Sequence, residues 1–181
     1  LGTVILSDEL NHASIIDGCK LSGAQLRAYP HKDMKRLEEI LASSMNFRRR
    51  LIITDGVFSM DGDIAPLKDI VQLADKYGAI VIVDDAHGTG VLGRTGRGIL
   101  EHFEMKGDSI IQMGTFSKAL GSLGGYVVGS HTLIDLLRNK ARQFIYTTAL
   151  PPGVLAASIA AIEVIEREPE QRSLLWSNTE R

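Results

Sequence analysis

Short apolar runs rich in β-branched residues recur along the 181-residue chain, at Thr3–Leu6, Gln25–Tyr29, Leu51–Thr54, Ile80–Val83, Ser109–Met113 and Tyr126–Val128. A strand with one face in water alternates apolar and polar side chains, and several of these runs do not alternate. They read as strands covered on both faces, as in a parallel sheet between helices. Helical patterns lie between them. In Leu67–Tyr77, Leu67, Ile70, Val71 and Ala74 form one apolar face, Pro66 suits the start and Gly78 the stop. Asp33–Leu41 and Val154–Ile165 are further helical patterns. The alternation predicts an α/β chain with a mostly parallel sheet covered by helices. One connection departs from this pattern. About a dozen residues separate Met113 from Gly125, too few for a helical crossover, so Tyr126–Val128 is expected to run antiparallel.

Composition narrows the function classes. With 44% hydrophobic residues the chain can bury a genuine core, and residues 1–181 read as one domain without repeats or linkers. Basic residues number 20 against 22 acidic ones, so no basic footprint for nucleic acid is present. No apolar run approaches the roughly 20 residues that span a bilayer. Neither a nucleic-acid nor a membrane partner is expected. The lone Cys19 cannot close an internal disulfide or build a thiolate zinc site, which suits a cytoplasmic protein. A buried strand starting at the first residue, and a polar run Trp176–Glu180 with no closing signal, read as a middle piece of a longer protein.

In open α/β sheets ligands bind beyond the carboxyl ends of the strands. The polar residues just past those ends are Asp8, Asn11 and His12; Asp55 and Ser59; Asp84, Asp85 and His87; and Thr115, Ser117 and Lys118. A lysine nucleophile forms Schiff bases with carbonyl cofactors, and a pyridoxal phosphate site pairs it with an acid that keeps the pyridine nitrogen protonated. Asp84, at a rigid strand end, and Lys118, in a loop flanked by Gly114, Gly121 and Gly124, suit those roles. His87, three residues after Asp84, can reach the ring's phenolic oxygen. Each residue also has a plainer reading: a surface lysine, a helix-capping His12, a turn-capping Asp84 or Asp85. His31, His102 and His131 sit in polar helical or turn contexts and receive no functional reading.

Two other constellations compete. Gly88-Thr89-Gly90-Val91-Leu92-Gly93 matches the G-x-G-x-x-G spacing of dinucleotide sites, which should open a helix directly. Here a second glycine-rich run, Arg94–Gly98, follows without helical period, so the match reads as a decoy. A metal site from His12, Asp84, Asp85 and His87 would lack any helical i, i+4 ligand pair and leave Lys118 without a role. No metal is expected.

Four stretches carry a family resemblance: Asn11-His12-Ala13-Ser14, Thr54-Asp55-Gly56-Val57-Phe58-Ser59-Met60-Asp61-Gly62, Asp84-Asp85-Ala86-His87-Gly88-Thr89-Gly90 and Gly114-Thr115-Phe116-Ser117-Lys118-Ala119-Leu120-Gly121. In this order they resemble the α-oxoamine synthases, fold-type I pyridoxal-phosphate enzymes that condense an amino acid with an acyl thioester and release CO2. The resemblance implies the large domain of the aminotransferase-like fold, with the N-terminal segment and the C-terminal small domain outside this chain. It implies pyridoxal 5'-phosphate held covalently by Lys118, its ring nitrogen by Asp84, its phenolic oxygen by His87 and Ser59, and its ring face by His12. Thr115 matches a phosphate ligand. Thr147 and Thr148 match a pair that reaches the cofactor phosphate of the partner subunit, so a homodimer is implied.

Within the family, Asp84–Gly93 and Phe144–Pro152 resemble members that join L-alanine to a pimeloyl thioester, carried by CoA or an acyl carrier protein, in biotin biosynthesis. Asp55 instead matches members that use glycine and acetyl-CoA. The resemblance places a phosphate-cradling segment upstream and a substrate-binding arginine downstream of this chain. The 181 residues alone are therefore expected to fold without catalysing the condensation.

Overall fold

The computed structural model describes residues 2–106 and 110–180. Its strands are β1 (Thr3–Asp8), β2 (Gln25–Tyr29), β3 (Arg49–Asp55), β4 (Ile80–Asp84), β5 (Ile110–Thr115) and β6 (Gly125–Val128), in the order β2-β1-β3-β4-β5-β6. The helices are α1 (Ala13–Leu21), α2 (Met34–Ala42), α3 (Leu67–Tyr77), α4 (Ile99–His102), α5 (His131–Lys140), α6 (Arg142–Ile145), α7 (Pro152–Arg167) and α8 (Pro169–Thr179). Every predicted strand is found. Ser109, the expected start of β5, lies outside the described residues.

The chain forms two compact units, one of residues 2–84 and 110–112, the other of residues 85–106 and 113–180. In the first, β1 pairs in parallel with β2 and β3, and β3 with β4. Val4, Leu6, Ile52 and Val83 are fully buried, as the unbroken apolar runs require. Helix α3 buries Leu67, Ile70 and Ala74 and ends on Gly78, whose φ of 60° is the left-handed conformation that a C-terminal glycine supplies without strain. Asp33 caps α2 by accepting from the Arg36 N–H. Helix α1 carried no clear sequence signal because it buries only Ile15 and Cys19. These pack on Ile5, Leu26, Leu51 and Ile53, and burial pushes the Cys19 thiol pKa up.

In the second unit β5 turns back into β6. The Phe116 N–H donates to the Gly124 carbonyl at 2.9 Å, and the Tyr126 ring lies against Gly114. Residues 116 with 124 and 114 with 126 face each other, the pairing of an antiparallel hairpin. The short connection therefore means what its length predicts. Helix α7 buries only Ser158, whose hydroxyl bonds Ser122, while Leu155, Ile159, Ile162 and Val164 are exposed. Helix α8 is held through Trp176, whose indole N–H donates to the Val91 carbonyl at 3.1 Å. Among the described residues no helix is long and apolar enough to cross a membrane.

Candidate functional site

The first unit carries His12, Ser59 and Asp84. His12 caps α1, its Nδ1 meeting the Ser14 hydroxyl at 2.8 Å and the Ser14 N–H at 3.3 Å. The plainer capping role is thus present, and the ring is also solvent-accessible. Its backbone N–H donates to Asp55 Oδ2 at 2.7 Å. Asp55 is oriented in turn by Asn11, whose Oδ1 accepts from the Asp55 N–H at 2.7 Å while its Nδ2 donates to Ser7 Oγ and the Ile53 carbonyl. Asn11 is buried, so this small network fixes the turn between β1 and α1 to the end of β3.

Asp84 is the last residue of β4, opposite Asp55 in the β3–β4 register, and is 6% exposed. Its carbonyl accepts from the Gly56 N–H at 2.7 Å, tying the strand end to the loop that carries Ser59. That loop is a tight hairpin. Val57 bridges Ile64, the Phe58 N–H donates to the Asp63 carbonyl at 3.0 Å, and the Gly62 N–H donates to the Phe58 carbonyl at 2.8 Å. Phe58 is buried, whereas Ser59 stands exposed at the tip.

The second unit begins with Asp85, whose carboxylate faces a different task from that of its neighbour. Both Asp85 oxygens accept from the Ile99 N–H at 3.1 Å, and Asp85 and Ile99 are fully buried. A Cβ on Gly88 would meet Asp85 Oδ1 at 2.0 Å, and one on Gly98 would meet Oδ2 at 1.7 Å. Glu101 fills the same kind of space beside Gly93, its carboxylate accepting from the N–H groups of Thr95 and Arg97 and from the Thr95 hydroxyl. These bonds hold its pKa low against the opposing effect of burial. The run from Gly88 to Gly98 is therefore glycine-rich because two carboxylates and a tight fold of backbone leave no room for side chains. It opens no helix at Gly88, which removes the dinucleotide reading.

His87 and Lys118 line one cavity of about 530 Å3, with Thr89, Ala119, Val164 and Arg172 among its other walls. Lys118 is exposed in the turn after β5, where the Gly121 N–H donates to its carbonyl at 2.9 Å. Gly121 has φ of 58° and Gly124 of 110°, so the lysine turn needs its glycines for backbone geometry. A Cβ on Gly90 would meet the Ala119 Cβ at 2.8 Å, so the 88–98 loop packs directly on the residue after the lysine. Thr115 shares a hydroxyl–hydroxyl bond of 2.7 Å with Ser117, accepts from the Ser117 N–H and donates to the Gly124 carbonyl. Thr147 and Thr148 lie exposed between α6 and α7. An exposed amine, an imidazole on the same cavity wall and hydroxyls grouped at the start of the turn can together hold a phosphorylated carbonyl compound.

The model of the aminotransferase class I and II family matches residues 1–181. The chain belongs to the aminotransferase class I and II family. It is 58% identical over 97% of its length to 8-amino-7-oxononanoate synthase 1 of Bacillus velezensis, of which it covers 45%. It is 60% identical over 96% of its length to the 8-amino-7-oxononanoate synthase of Citrifermentans bemidjiense, covering 44%. Among solved structures, a serine palmitoyltransferase from S. paucimobilis with a bound PLP–myriocin aldimine superposes with a TM-score of 0.91 at 38% identity, over 97% of this chain and 46% of that one. The 8-amino-7-oxononanoate synthase from Francisella tularensis gives 0.85 at 36% identity, over 97% and 50% respectively. This aminotransferase-family chain thus spans about half the length of the relatives it matches.

Sequence reasoning passed over one residue of this aminotransferase-family chain. His31 has both ring nitrogens on carboxylates, Nδ1 at 3.0 Å from Asp8 and Nε2 at 2.9 Å from Asp63. The partners are 23 and 32 positions away, so no local pattern could announce them. Of the two partners Asp8 ends β1, whereas Asp63 lies in the hairpin after β3.

Proposed function

We propose that the whole protein is a pyridoxal-phosphate-dependent acyltransferase of the α-oxoamine synthase type, an 8-amino-7-oxononanoate synthase, and that this chain is its cofactor-bearing large-domain portion. The reaction would join L-alanine to a pimeloyl thioester, release CoA or carrier protein and CO2, and serve biotin formation in the cytoplasm. The observation that carries the reading is Lys118, in a glycine-bracketed turn and on one cavity wall with His87, in a chain 58% identical to proteins of that name. The donor set fits the cofactor: an amine, a nearly buried carboxylate at a strand end, imidazoles and clustered hydroxyls.

When bound, pyridoxal phosphate supplies an aldehyde for the lysine amine and a cationic ring that takes up the electron pair left at the substrate α-carbon. Lys118 Nζ would hold the cofactor and, once released by the incoming amino acid, take the α-proton. Asp84 would accept the hydrogen bond from the ring N–H and keep that proton in place. His87 and Ser59 would bond the phenolic oxygen, His12 would cover the ring face, and Thr115 would donate to the phosphate. Thr147 and Thr148 would reach the phosphate held by a second copy, which makes the working form a homodimer. Spanning about half of its relatives, the chain alone is proposed to fold but not to turn over.

Asp55 favours the second reading, a 2-amino-3-ketobutyrate CoA ligase using glycine and acetyl-CoA. Substrate competition on the full-length protein separates the two. The cofactor reading is tested by adding pyridoxal phosphate, reducing with borohydride and locating the adduct by mass spectrometry. The expected site is Lys118, and an adduct on Lys106 or Lys140 instead would overturn the assignment.

A further inference from the structure

The hairpin of residues 56–65 reaches the rest of its unit through a charged cluster that the proposed reaction does not use. His31 bridges Asp8 Oδ1 and Asp63 Oδ2, and its ring meets buried Phe58 edge-on at 4.4 Å between centroids. Lys32, at φ of 56°, donates from its backbone N–H to Asp8 Oδ2 at 3.0 Å and from Nζ to Asp63 Oδ2 at 2.8 Å. Glu9 Oε1 accepts from the His31 N–H. The charged groups facing the imidazole are therefore Asp8 at the end of β1, Glu9 just after it, Lys32 beside the ring and Asp63 in the hairpin.

A neutral imidazole has one N–H and one lone pair, so it could donate to only one of two carboxylates and would turn its lone pair on the other. With both nitrogens within 3.0 Å of carboxylate oxygens, only the imidazolium satisfies the geometry. We propose that His31, as an imidazolium clasped between Asp8 and Asp63, is a positioning residue that locks the 56–65 hairpin and so fixes Ser59, a role that rests on the cofactor reading above. The clasp grips Asp63 and Phe58, the pair that flanks the turn of residues 59–62, and Ser59 follows Phe58 directly.

The charges give the clasp a pH window. Burial alone would lower the His31 pKa, but the bonds to Asp63 and Asp8 outweigh it and raise the pKa above its ordinary 6.5. Burial would raise the Asp63 pKa, but Lys32 and His31 outweigh it and lower the pKa below its ordinary 3.8. The His31 contribution is thus complete below about pH 6.5 and lost as pH rises through the higher folded-state value. The Asp63 contribution is present above about pH 3.8 and lost as pH falls through the lower one.

Hydrogen exchange of the Phe58, Gly62 and Ala65 amides reads the clasp without any cofactor, because those N–H groups close the hairpin. After correction for intrinsic exchange, protection in the unsubstituted chain should fall at least about tenfold above neutral pH, the weight of one charge-assisted hydrogen bond. His31→Gln should show the unprotected rate with no pH step. Asp63→Asn, which keeps the ring on Asp8, should move the step to lower pH and serves if His31→Gln fails to fold. Protection independent of pH, or an unmoved step in Asp63→Asn, would overturn the clasp. In pyridoxal phosphate titrations, Ser59→Ala and the double variant with His31→Gln should bind alike. Additive losses would refute the positioning role. A misplaced borohydride adduct would sink the cofactor reading while leaving the exchange result intact, so the two failures are distinguishable.

Discussion

The adjacent aspartates Asp84 and Asp85 should fail in opposite ways, and Asp85 gives the more quantitative test. Replacing Asp85 by alanine strands the Ile99 N–H, which has both carboxylate oxygens at 3.1 Å and no exposure to water. A buried donor left unpaired costs about 1–3 kcal/mol, and a bond to a charged acceptor contributes about 1.5–3 kcal/mol; these overlap, so the expected loss is about 2–4 kcal/mol. For a chain of this size that corresponds to a melting shift of roughly 5–15 °C. Urea unfolding followed by fluorescence of Trp176, the single tryptophan, reports on the unit concerned because its indole bonds Val91 in the 88–98 loop. Gly98→Ala should reach a comparable loss from the other side, since its Cβ would meet Asp85 Oδ2 at 1.7 Å and its φ is 92°. If Asp85→Ala stays within about 0.5 kcal/mol of the unsubstituted chain, the range of an ordinary surface change, the capping account is wrong.

Asp84→Asn in the full-length protein should leave the Lys118 adduct trappable while cutting turnover roughly 10- to 100-fold, the weight of a charge-assisted hydrogen bond; steady-state kinetics alongside borohydride trapping checks both halves, and an unchanged rate refutes the role. With a pimeloyl thioester, the full-length protein should use L-alanine far better than glycine, measured by thiol release. Preference for glycine with acetyl-CoA would make the ligase reading correct.

The strands were legible because Val4, Leu6, Ile52 and Val83 are fully buried on one face of the sheet while Ile5, with Leu51 and Ile53, packs under Ile15 and Cys19 on the other, and burial of that kind leaves unbroken apolar runs. Helices α2 and α3 were legible for the related reason that each buries a full stripe. Helices α5 and α8 bury no residue and so carry no stripe to read. The separation of Asp84 from Asp85 was half visible: the strand end follows from Ile80–Val83, but the Ile99 N–H that claims Asp85 lies 14 residues on across irregular backbone. His31 was invisible because its role depends on two carboxylates brought together by the parallel pairing of β1 with β2 and by the hairpin after β3.

The place of β1 has a consequence during synthesis on the ribosome. It lies between β2 and β3, so one of its edges stays unpaired until β3 has been made, 47 residues after Asp8. At about 5–20 residues per second that interval is roughly 2 to 10 s. Throughout it a strand of nearly unbroken apolar residues would offer free N–H and C=O groups to any neighbouring nascent chain. A chaperone that shields extended apolar segments would act most usefully in that interval. Slowing translation between Leu21 and Arg49 would be expected to raise aggregation more than slowing it after Asp55.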